Sequence, residues 1–497
     1  MKARIIIDKN AVLGHVEPEV FGSFVEHLGR CVYNGIYEPD HPLADERGFR
    51  KDVIEAIADL HVPVLRYPGG NFVSGYDWKD TVGPNRRTVL DLAWRALETN
   101  EVGIDEFAYF ADQVGSEVMM AVNLATDTIK SAHEIVEYCN LEDAGYWANL
   151  RKEHGREKPY KFRYWCLGNE MDGPWQIGTK EAHDYAITAT EAAKVMKWVD
   201  PSIKVIACGS SASVNPTFPM WDREVLEKSF DVIDYLSLHH YFTYPTADHD
   251  LGEFYGSAMV FDNYISTLQH TLEYVKAVKR SKKQIYFAVD EWNVWHTFDN
   301  SNKVIEDWKY GMPLLENNYD FADAVVVASL LSTLINHADI VKMACFAQLV
   351  NVIAPILTQK GGGLLKQTIY YPISMISNYF AGTDSLRTFN AIPTYETKSY
   401  GNVPEVYTSV SYKKETGEYI VLLVNVAQDG NSVELVFDQD VVLSSKSIYQ
   451  CDDPHCKNTF EEPFAVVPTS ENIQNGTSKR THNIKLAPNS VNILIFK

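Results

Sequence analysis

The sequence predicts an α/β fold, a (β/α)8 TIM barrel followed by an all-β sandwich of jelly-roll type. Eight short apolar runs alternate with amphipathic helical segments between about residues 18 and 380. Beyond residue 380 the helical pattern gives way to period-two alternation rich in Val, Ile and Tyr, and 497 residues are too many for one simple core. We therefore expect a strand within 1–17 that joins the sandwich, a barrel over 18–382 and the sandwich over 383–497.

The apolar runs have the length and composition of buried parallel strands. Eight βα units can close into a barrel without free edges, because each crossover helix returns the chain to the same end of the sheet. The predicted strands are Val20–Phe24, Val62–Tyr67, Glu117–Asn123, Phe162–Leu167, Lys204–Ala207, Ile233–His239, Ile285–Val289 and Ile340–Phe346. The predicted helices include Phe49–Leu60, Ile104–Val114, Glu181–Val199, Tyr264–Arg280 and Phe321–Asn336. The barrel is longer than the usual ~250 residues, so we expect insertions in the loops Gly75–Asn100 and Thr243–Phe261.

The C-terminal strands are separated by turn signals such as Asp429-Gly430-Asn431. Alternating Arg4–Ile7 is expected to add one strand to them. The predicted sandwich strands are Val406–Tyr412, Glu418–Val426, Ser432–Phe437 and Val491–Phe496.

Composition narrows the class of function. The formal net charge of −21 is spread along the chain, so the surface repels phosphate backbones and anionic membranes. The N-terminal MKARIIIDKN has no signal-peptide core, and no apolar run reaches membrane-spanning length. We expect a cytoplasmic protein that binds a neutral small molecule or a sugar, with no nucleic-acid or membrane partner.

The cysteines do not suggest a metal site. Cys166, Cys208 and Cys345 lie in or beside predicted strands and are expected to be buried thiols in a reducing cytosol. The segment CDDPHC resembles metal-ligand spacing but lacks a second ligand pair, and the His-Asp segment HHYFTYPTADHD serves no chemistry that needs a metal. We expect no metal and no cofactor.

Two glutamates, each at the end of a predicted strand, indicate the chemistry. Glu170 closes the fourth strand and Glu291 the seventh, each in an aromatic-rich stretch. All barrel strands are parallel, so both carboxyl groups face the same end of the barrel, where such folds carry their active sites. Two carboxyl groups that converge on one pocket are typical of the catalytic site of a glycoside hydrolase.

Six segments together resemble the α-L-arabinofuranosidases of glycoside hydrolase family 51, in the retaining clan A. They are GNEMDGPWQIG, VDEWNVW, FGSFVEHLGRCVYNGIYEP, LRYPGGNFVSGYDWKD, LAWRALETNEVGIDEF and KMACFAQLVNVIAP. The resemblance covers the whole barrel, and the C-terminal sandwich has the family's size and position. It implies an exo-acting enzyme that removes terminal non-reducing α-L-arabinofuranosyl groups from arabino-oligosaccharides with retention.

The resemblance also implies a role for individual residues. Glu170 of the GNE motif would be the acid/base and Glu291 of the DEW motif the nucleophile, with carboxyl groups about 5–5.5 Å apart. The furanose would be held by residues at other strand ends: Glu26, Asn71, Asn169, Tyr241 and Gln348. Supporting roles are expected for Arg66, which can keep Glu291 ionised, and for the aromatic walls Trp175 and Trp295. Family members often form hexamers, so a homo-oligomer is expected.

Some alternatives and departures remain open. Thr179 stands where the family commonly has His, and Leu364-Leu365 where it has Ala-Trp, which leaves the aglycone preference undecided. An endo-xylanase, endo-glucanase or β-galactosidase would use the same two glutamates in an open, tryptophan-lined cleft, whereas a small pocket capped by Glu26 and Asn71 would favour an exo-furanosidase. A sugar-binding protein without chemistry is the third hypothesis. The linkage and the polymer source, arabinan or arabinoxylan, are not predicted.

Overall fold

The computed structural model describes residues 3–245, 248–297, 307–474 and 476–497. Its strands, in chain order, are β1 (Ala3–Ile7), β2 (Val12–His15), β3 (Gly22–Phe24), β4 (Val64–Tyr67), β5 (Val89–Asp91), β6 (Ala96–Glu98), β7 (Glu117–Val122), β8 (Tyr164–Leu167), β9 (Lys204–Cys208), β10 (Tyr235–Phe242), β11 (Tyr286–Val294), β12 (Val341–Ala347), β13 (Ile356–Thr358), β14 (Leu364–Lys366), β15 (Asp384–Leu386), β16 (Phe389–Ala391), β17 (Thr394–Thr397), β18 (Gly401–Pro404), β19 (Val406–Lys413), β20 (Glu418–Asn425), β21 (Asn431–Val441), β22 (Leu443–Gln450), β23 (Thr469–Asn472), β24 (Lys479–Leu486) and β25 (Ser490–Phe496). The helices are α1 (Lys51–Ala58), α2 (Ile104–Val114), α3 (Ile129–Asn140), α4 (Tyr146–Glu153), α5 (Ala182–Val199), α6 (Met220–Ser229), α7 (Leu251–Tyr255), α8 (Ser257–Lys279), α9 (Phe321–Asn336) and α10 (Tyr370–Phe380).

Eight parallel strands close the barrel in the order β3-β4-β7-β8-β9-β10-β11-β12, with β12 paired back onto β3. The predicted TIM-barrel fold with a C-terminal all-β domain is thereby confirmed. Almost every residue of β4, β7, β8 and β12 is buried, as expected for a parallel sheet covered by helices. Helices α2 and α9 have the predicted limits.

Three barrel strands differ from their predicted limits near the site. Pro18–Phe21 forms a 3-10 helix, because Pro cannot donate to the ladder, and so β3 starts only at Gly22. β10 continues to Phe242 and β11 to Val294, since the two pair with each other beyond the point where their apolar runs end. The prediction that Tyr241 and Glu291 follow their strands is therefore wrong, because both lie within them.

The C-terminal part consists of two sheets, which the N-terminal strands complete. One sheet has the order β16-β1-β21-β24 and the other β2-β15-β19-β20-β25-β22-β23. β1 runs parallel to β21, with Ala3 opposite Val433, and antiparallel to β16. We propose the limits 1–17, 18–382 and 383–497 as the division of the chain into its N-terminal strands, barrel and sandwich.

The central strand β20 joins the barrel to the sandwich. Its alternate residues Tyr419, Val421 and Leu423 pack between the two sheets, whereas Ile420, Leu422 and Val424 belong to the core that continues into the barrel. The two faces of a strand alternate with every residue, so one strand serves both cores. The barrel is therefore held against the sandwich by buried apolar surface.

Two loop segments depart from the sequence-based expectations. The predicted insertion Gly75–Asn100 contains the hairpin β5–β6, and Thr243–Phe261 contains α7 and the start of α8. Cys451 and Cys456, the two cysteines of CDDPHC, form a disulfide across the intervening turn. Cys166, Cys208 and Cys345 are buried thiols as predicted. No helix among the described residues is long and apolar enough to cross a membrane.

Candidate active site

A cavity of about 500 Å³ opens at the carboxyl ends of the barrel strands. Residues from loops and strand ends all around the barrel form its wall, as expected for a TIM-barrel site. The cavity is lined by both glutamates, Glu170 and Glu291, and by the predicted residues Glu26, Asn71, Trp175, Tyr241, Trp295 and Gln348. It is also lined by Trp94, Ser211, Ala212, Val214 and His240.

Glu170 lies just after β8 in a sharp turn. Gly168 and Glu170 both have positive φ angles, of 88° and 43°, and the N–H of Gly173 donates to the carbonyl of Glu170. The Glu170 carboxylate accepts hydrogen bonds from Trp175 Nε1 at 2.6 Å and from His239 Nδ1 at 3.0 Å. Burial raises the pKa of Glu170, and the charge of Glu291 adds to this against the opposing effect of the two hydrogen bonds.

Glu291 lies within β11, directly opposite His239 of β10. Its carboxylate accepts a hydrogen bond from the Tyr241 hydroxyl at 2.8 Å and ion-pairs with His239 Nδ1 at 3.0 Å and with Arg66 Nη1 at 3.4 Å. Burial alone would raise the pKa of Glu291, but the charges of His239 and Arg66 and the bond from Tyr241 outweigh it. The pKa of Glu291 therefore lies below its usual range.

His239 connects the two glutamates. One carboxylate oxygen of each glutamate and one ring nitrogen of His239 all lie within 4.8 Å of one another. The other ring nitrogen, Nε2, is 3.3 Å from Asp290, whose pKa is lowered to about 2: burial opposes ionisation, but the charges of Arg66 and His239 prevail. Burial disfavours the imidazolium, yet the surrounding carboxylates hold the pKa of His239 well above its usual value. The site thus places His239, which favours its cationic form, beside Glu291 with a lowered pKa and Glu170 with a raised pKa.

The opposite wall of the cavity is built around Glu26. Its Oε1 accepts hydrogen bonds from the Phe72 N–H at 2.9 Å and from Trp94 Nε1 at 3.0 Å, and its Oε2 accepts one from Gln348 Nε2 at 3.1 Å. Burial, reinforced by the charge of Glu291, raises the pKa of Glu26 to about 8. This carboxyl group is therefore largely protonated near neutrality and can donate as well as accept.

Comparison with known proteins identifies the family. Models described as "Alpha-L-arabinofuranosidase 1 domain" and "Alpha-L-arabinofuranosidase C-terminal domain" match residues 56–265 and 290–490. The intracellular exo-α-(1→5)-L-arabinofuranosidase 1 of Bacillus subtilis is 48% identical over 481 residues, which cover 95% of this chain and 96% of the relative. An exo-α-(1→6)-L-arabinofuranosidase of Bifidobacterium longum is 42% identical, covering 94% of this chain and 91% of its own. The structure of a family 51 α-L-arabinofuranosidase from Bifidobacterium longum superposes with a TM-score of 0.93 at 37% identity, covering 100% of this chain and 99% of the other.

The chain belongs to the family 51 α-L-arabinofuranosidases. It is a glycoside hydrolase, and arabinose-containing saccharides are its substrates.

In this arabinofuranosidase the residues singled out from the sequence converge on one place. Arg66 Nη2 donates to Asn169 Oδ1 at 2.6 Å, and Trp295 packs edge-on against the Tyr241 ring at a centroid distance of 5.3 Å. Asn71 lines the cavity at the start of a 3-10 helix. All ten predicted site residues thus lie in or directly against the cavity.

The departures from the family pattern lie elsewhere. Leu364 and Leu365 form part of β14 and do not contribute to the cavity wall. Thr179 donates to the Met171 carbonyl at 3.1 Å and lines a separate cavity of about 710 Å³ beside α5. Neither position is among the residues that line the cavity with the two glutamates.

Sequence reasoning missed His239 as the residue shared by both glutamates. The predicted sixth strand, Ile233–His239, ends at this residue, and no role in the site is predicted for it. Once β10 continues to Phe242, period-two alternation places His239 on the same face as Tyr241. That periodicity was the available signal.

The cluster of Glu170, His239 and Glu291 has atoms close enough to hold a metal ion. However, a metal ligand must be a neutral imidazole, whereas the surrounding carboxylates favour the protonated form of His239. These residues therefore suit a charge-compensated acid pair better than a metal centre.

Proposed function

We propose that the enzyme cleaves terminal α-L-arabinofuranosyl groups by double displacement, with Glu291 as the nucleophile and Glu170 as the acid/base. The single observation that carries this proposal is the pair of adjacent carboxyl groups with opposite pKa shifts. Retaining enzymes hold their carboxyl groups about 5–5.5 Å apart, whereas inverting enzymes leave about 6.5–9.5 Å for a water molecule. Oxygen atoms within 4.8 Å of one another favour the retaining geometry.

The first step needs a proton on the leaving oxygen and a free carboxylate at the anomeric carbon. Glu170 supplies the proton, because burial keeps its carboxyl group protonated, and Glu291 attacks to form an arabinosyl ester. In the second step ionised Glu170 activates water, which releases the sugar with retained configuration. Arg66 and His239 keep Glu291 anionic, and Tyr241 fixes its orientation.

The furanose is proposed to be bound by the polar groups of the wall opposite Trp175. Glu26, Asn71 and Gln348 supply donors and acceptors, Asn169 lies beside the acid, and Trp295 provides an apolar surface behind Tyr241. The exo-acting relatives favour cleavage at a chain end over the action of an endo-glycanase.

The location, linkage and assembly are further parts of the proposal. The Bacillus relative is named intracellular and α-(1→5)-specific, which supports an enzyme that acts inside the cell on short α-(1→5)-linked arabino-oligosaccharides. The (1→6) enzyme is less similar, at 42% identity against 48%. The family resemblance supports a homo-oligomer, a hexamer of six 56.3 kDa chains or about 338 kDa, which light scattering would measure.

The test of the proposed function is NMR of the products during cleavage of defined arabino-oligosaccharides, both (1→5)- and (1→6)-linked. We expect free arabinose to appear first as the α-anomer, with the chain shortened by one residue at a time. Release of arabinobiose without free arabinose from a tetrasaccharide would contradict exo action, and initial β-anomer would contradict retention.

A further inference from the structure

The active cavity has two chemically different sides. Its furanose side comes from the loops after β12, β3 and β4, and carries Glu26, Asn71, Trp94 and Gln348. The other side comes from β8, β9 and β10 and their loops, and carries Trp175, Ser211, Ala212, Val214 and His240. Glu170 belongs to this second side, where Trp175 donates to it. Because the acid must reach the leaving oxygen, the sugar beyond the cleaved bond lies against the second side.

Most of that second side is apolar or already hydrogen-bonded. Trp175 and Val214 are 51% and 80% exposed and offer flat surfaces to the C–H faces of a sugar. The Ser211 hydroxyl donates to Asp172 at 3.1 Å and accepts from Asn215 at 2.7 Å, so its proton is not available to a sugar. His240 is the polar group of this wall that the enzyme's own bonds leave available.

His240 lies between His239 and Tyr241 on β10 but on the opposite face of the strand, and it has no bond to either glutamate among the described residues. Its ring packs against Phe242 and Tyr264, at centroid distances of 4.5 and 5.7 Å, and is 7% exposed where it meets the cavity. Nδ1 is buried and has no hydrogen-bond partner in the described part of the chain. The Tyr264 hydroxyl donates its proton to the Ser210 carbonyl, so it has no proton left to donate to this nitrogen.

Burial also decides the charge of this ring. It lowers the pKa of His240 to about 4, and among the described residues burial is the one cause of this shift. Near neutrality the imidazole is therefore uncharged, with one donor and one acceptor nitrogen. Such a group suits a sugar hydroxyl, which can both donate and accept a hydrogen bond.

We propose that His240 is a specificity-determining residue, which hydrogen-bonds a hydroxyl of the sugar on the leaving-group side while Trp175 and Val214 contact its C–H face. The inference rests on the proposed roles of Glu170 and Glu291. In this proposal His240 affects which aglycone the enzyme prefers and takes no part in the chemical steps.

The test compares two substrates whose aglycones differ in hydroxyl groups. α-(1→5)-Arabinobiose carries a hydroxylated sugar on the leaving-group side, whereas 4-nitrophenyl α-L-arabinofuranoside carries a flat ring without hydroxyls. His240→Phe keeps the ring shape and removes the hydrogen bond, and we expect kcat/KM to fall about 10- to 100-fold on the disaccharide but less than about 3-fold on the nitrophenyl substrate. His240→Gln, which keeps a donor and an acceptor, should stay within about 5-fold of the unmodified enzyme on both. His270→Ala, at an exposed position of α8, is the control and should change neither.

Losses of similar size on both substrates would overturn the inference, since His240 would then act only through packing. If His240→Phe does not fold, His240→Met is measured against the same criterion. An unmodified enzyme that releases no arabinose from either substrate would instead refute the proposed function. The two failures are therefore distinguishable.

Discussion

The hydrogen bond from Trp175 to Glu170 predicts a shift in the pH dependence of catalysis. Trp175→Phe keeps an aromatic ring beside the acid and removes the indole N–H, which lies 2.6 Å from Glu170 Oε2. That bond stabilises the ionised carboxylate, so its loss must raise the pKa of Glu170 further. The basic limb of kcat/KM, which reports the free enzyme's acid, should therefore move to higher pH.

The size of this shift follows from the bond and its surroundings. A hydrogen bond to a charged group contributes about 1.5–3 kcal/mol, and one pKa unit corresponds to about 1.4 kcal/mol, so complete loss would raise the pKa by about 1–2 units. Trp175 is half exposed, and water can partly replace the indole. We expect a displacement of about one unit. The acidic limb, governed by Glu291, should move much less because Trp175 does not contact it among the described residues.

The assay is kcat/KM against pH on the nitrophenyl substrate, with Trp198→Phe as the control. Trp198 is 76% exposed on α5 and should leave the profile unchanged. An unmoved basic limb in Trp175→Phe would assign that limb to another group, most directly Glu26 with its pKa of about 8. A limb that moved to lower pH would refute the reasoning altogether.

Three further predictions concern the proposed roles and the shape of the site. Glu291→Ala should lose turnover, and azide should restore the release of an arabinosyl azide of inverted configuration; an azide product of retained configuration would contradict its role as nucleophile. In Glu170→Ala the first step should slow far more for substrates with poor leaving groups than for nitrophenyl substrates, as measured by kcat/KM, and equal losses would remove Glu170 from the acid role. In Gly70→Ala the new Cβ would lie 3.3 Å from Glu291 Oε1 and 3.4 Å from Glu26 Oε2, so kcat/KM should fall about 10-fold or more. Gly75→Ala, whose Cβ would meet no atom within 4 Å, is the matched control and should keep full activity.

The fold could be predicted from the sequence because its signals are local. Each barrel strand is a short apolar run, and the amphipathic stretches of α2 and α9 have helical periodicity over their whole length. Strand limits were less accurate where pairing, rather than composition, extends the strand. β11 continues through Asp290, Glu291 and Asn293 because β10 lies beside it, and polar residues of this kind normally indicate a loop.

The site was predicted less evenly. The sequence predicts the site residues that follow strands or belong to family motifs. It does not predict that His239 lies between the two glutamates. His239 takes its role from three carboxylates that belong to two different strands or their loops, Glu170, Asp290 and Glu291, and its protonation depends on their shared burial. The hairpin β5–β6, which brings Trp94 to Glu26, likewise depends on contacts that no local pattern encodes.

The pairing of β1 with β21 has a consequence for the folding of the chain during translation and for its truncation. Ala3 meets Val433 only after the whole barrel has been synthesised between them, so β1 must wait, unpaired, through most of translation. β1 is also an interior strand, with β16 on its other side. A fragment that begins after the barrel would expose two ladder edges where β1 belongs, and we expect it to aggregate rather than fold. Although the barrel and the sandwich look like separable modules, the sandwich is incomplete without β1, the first strand of the chain.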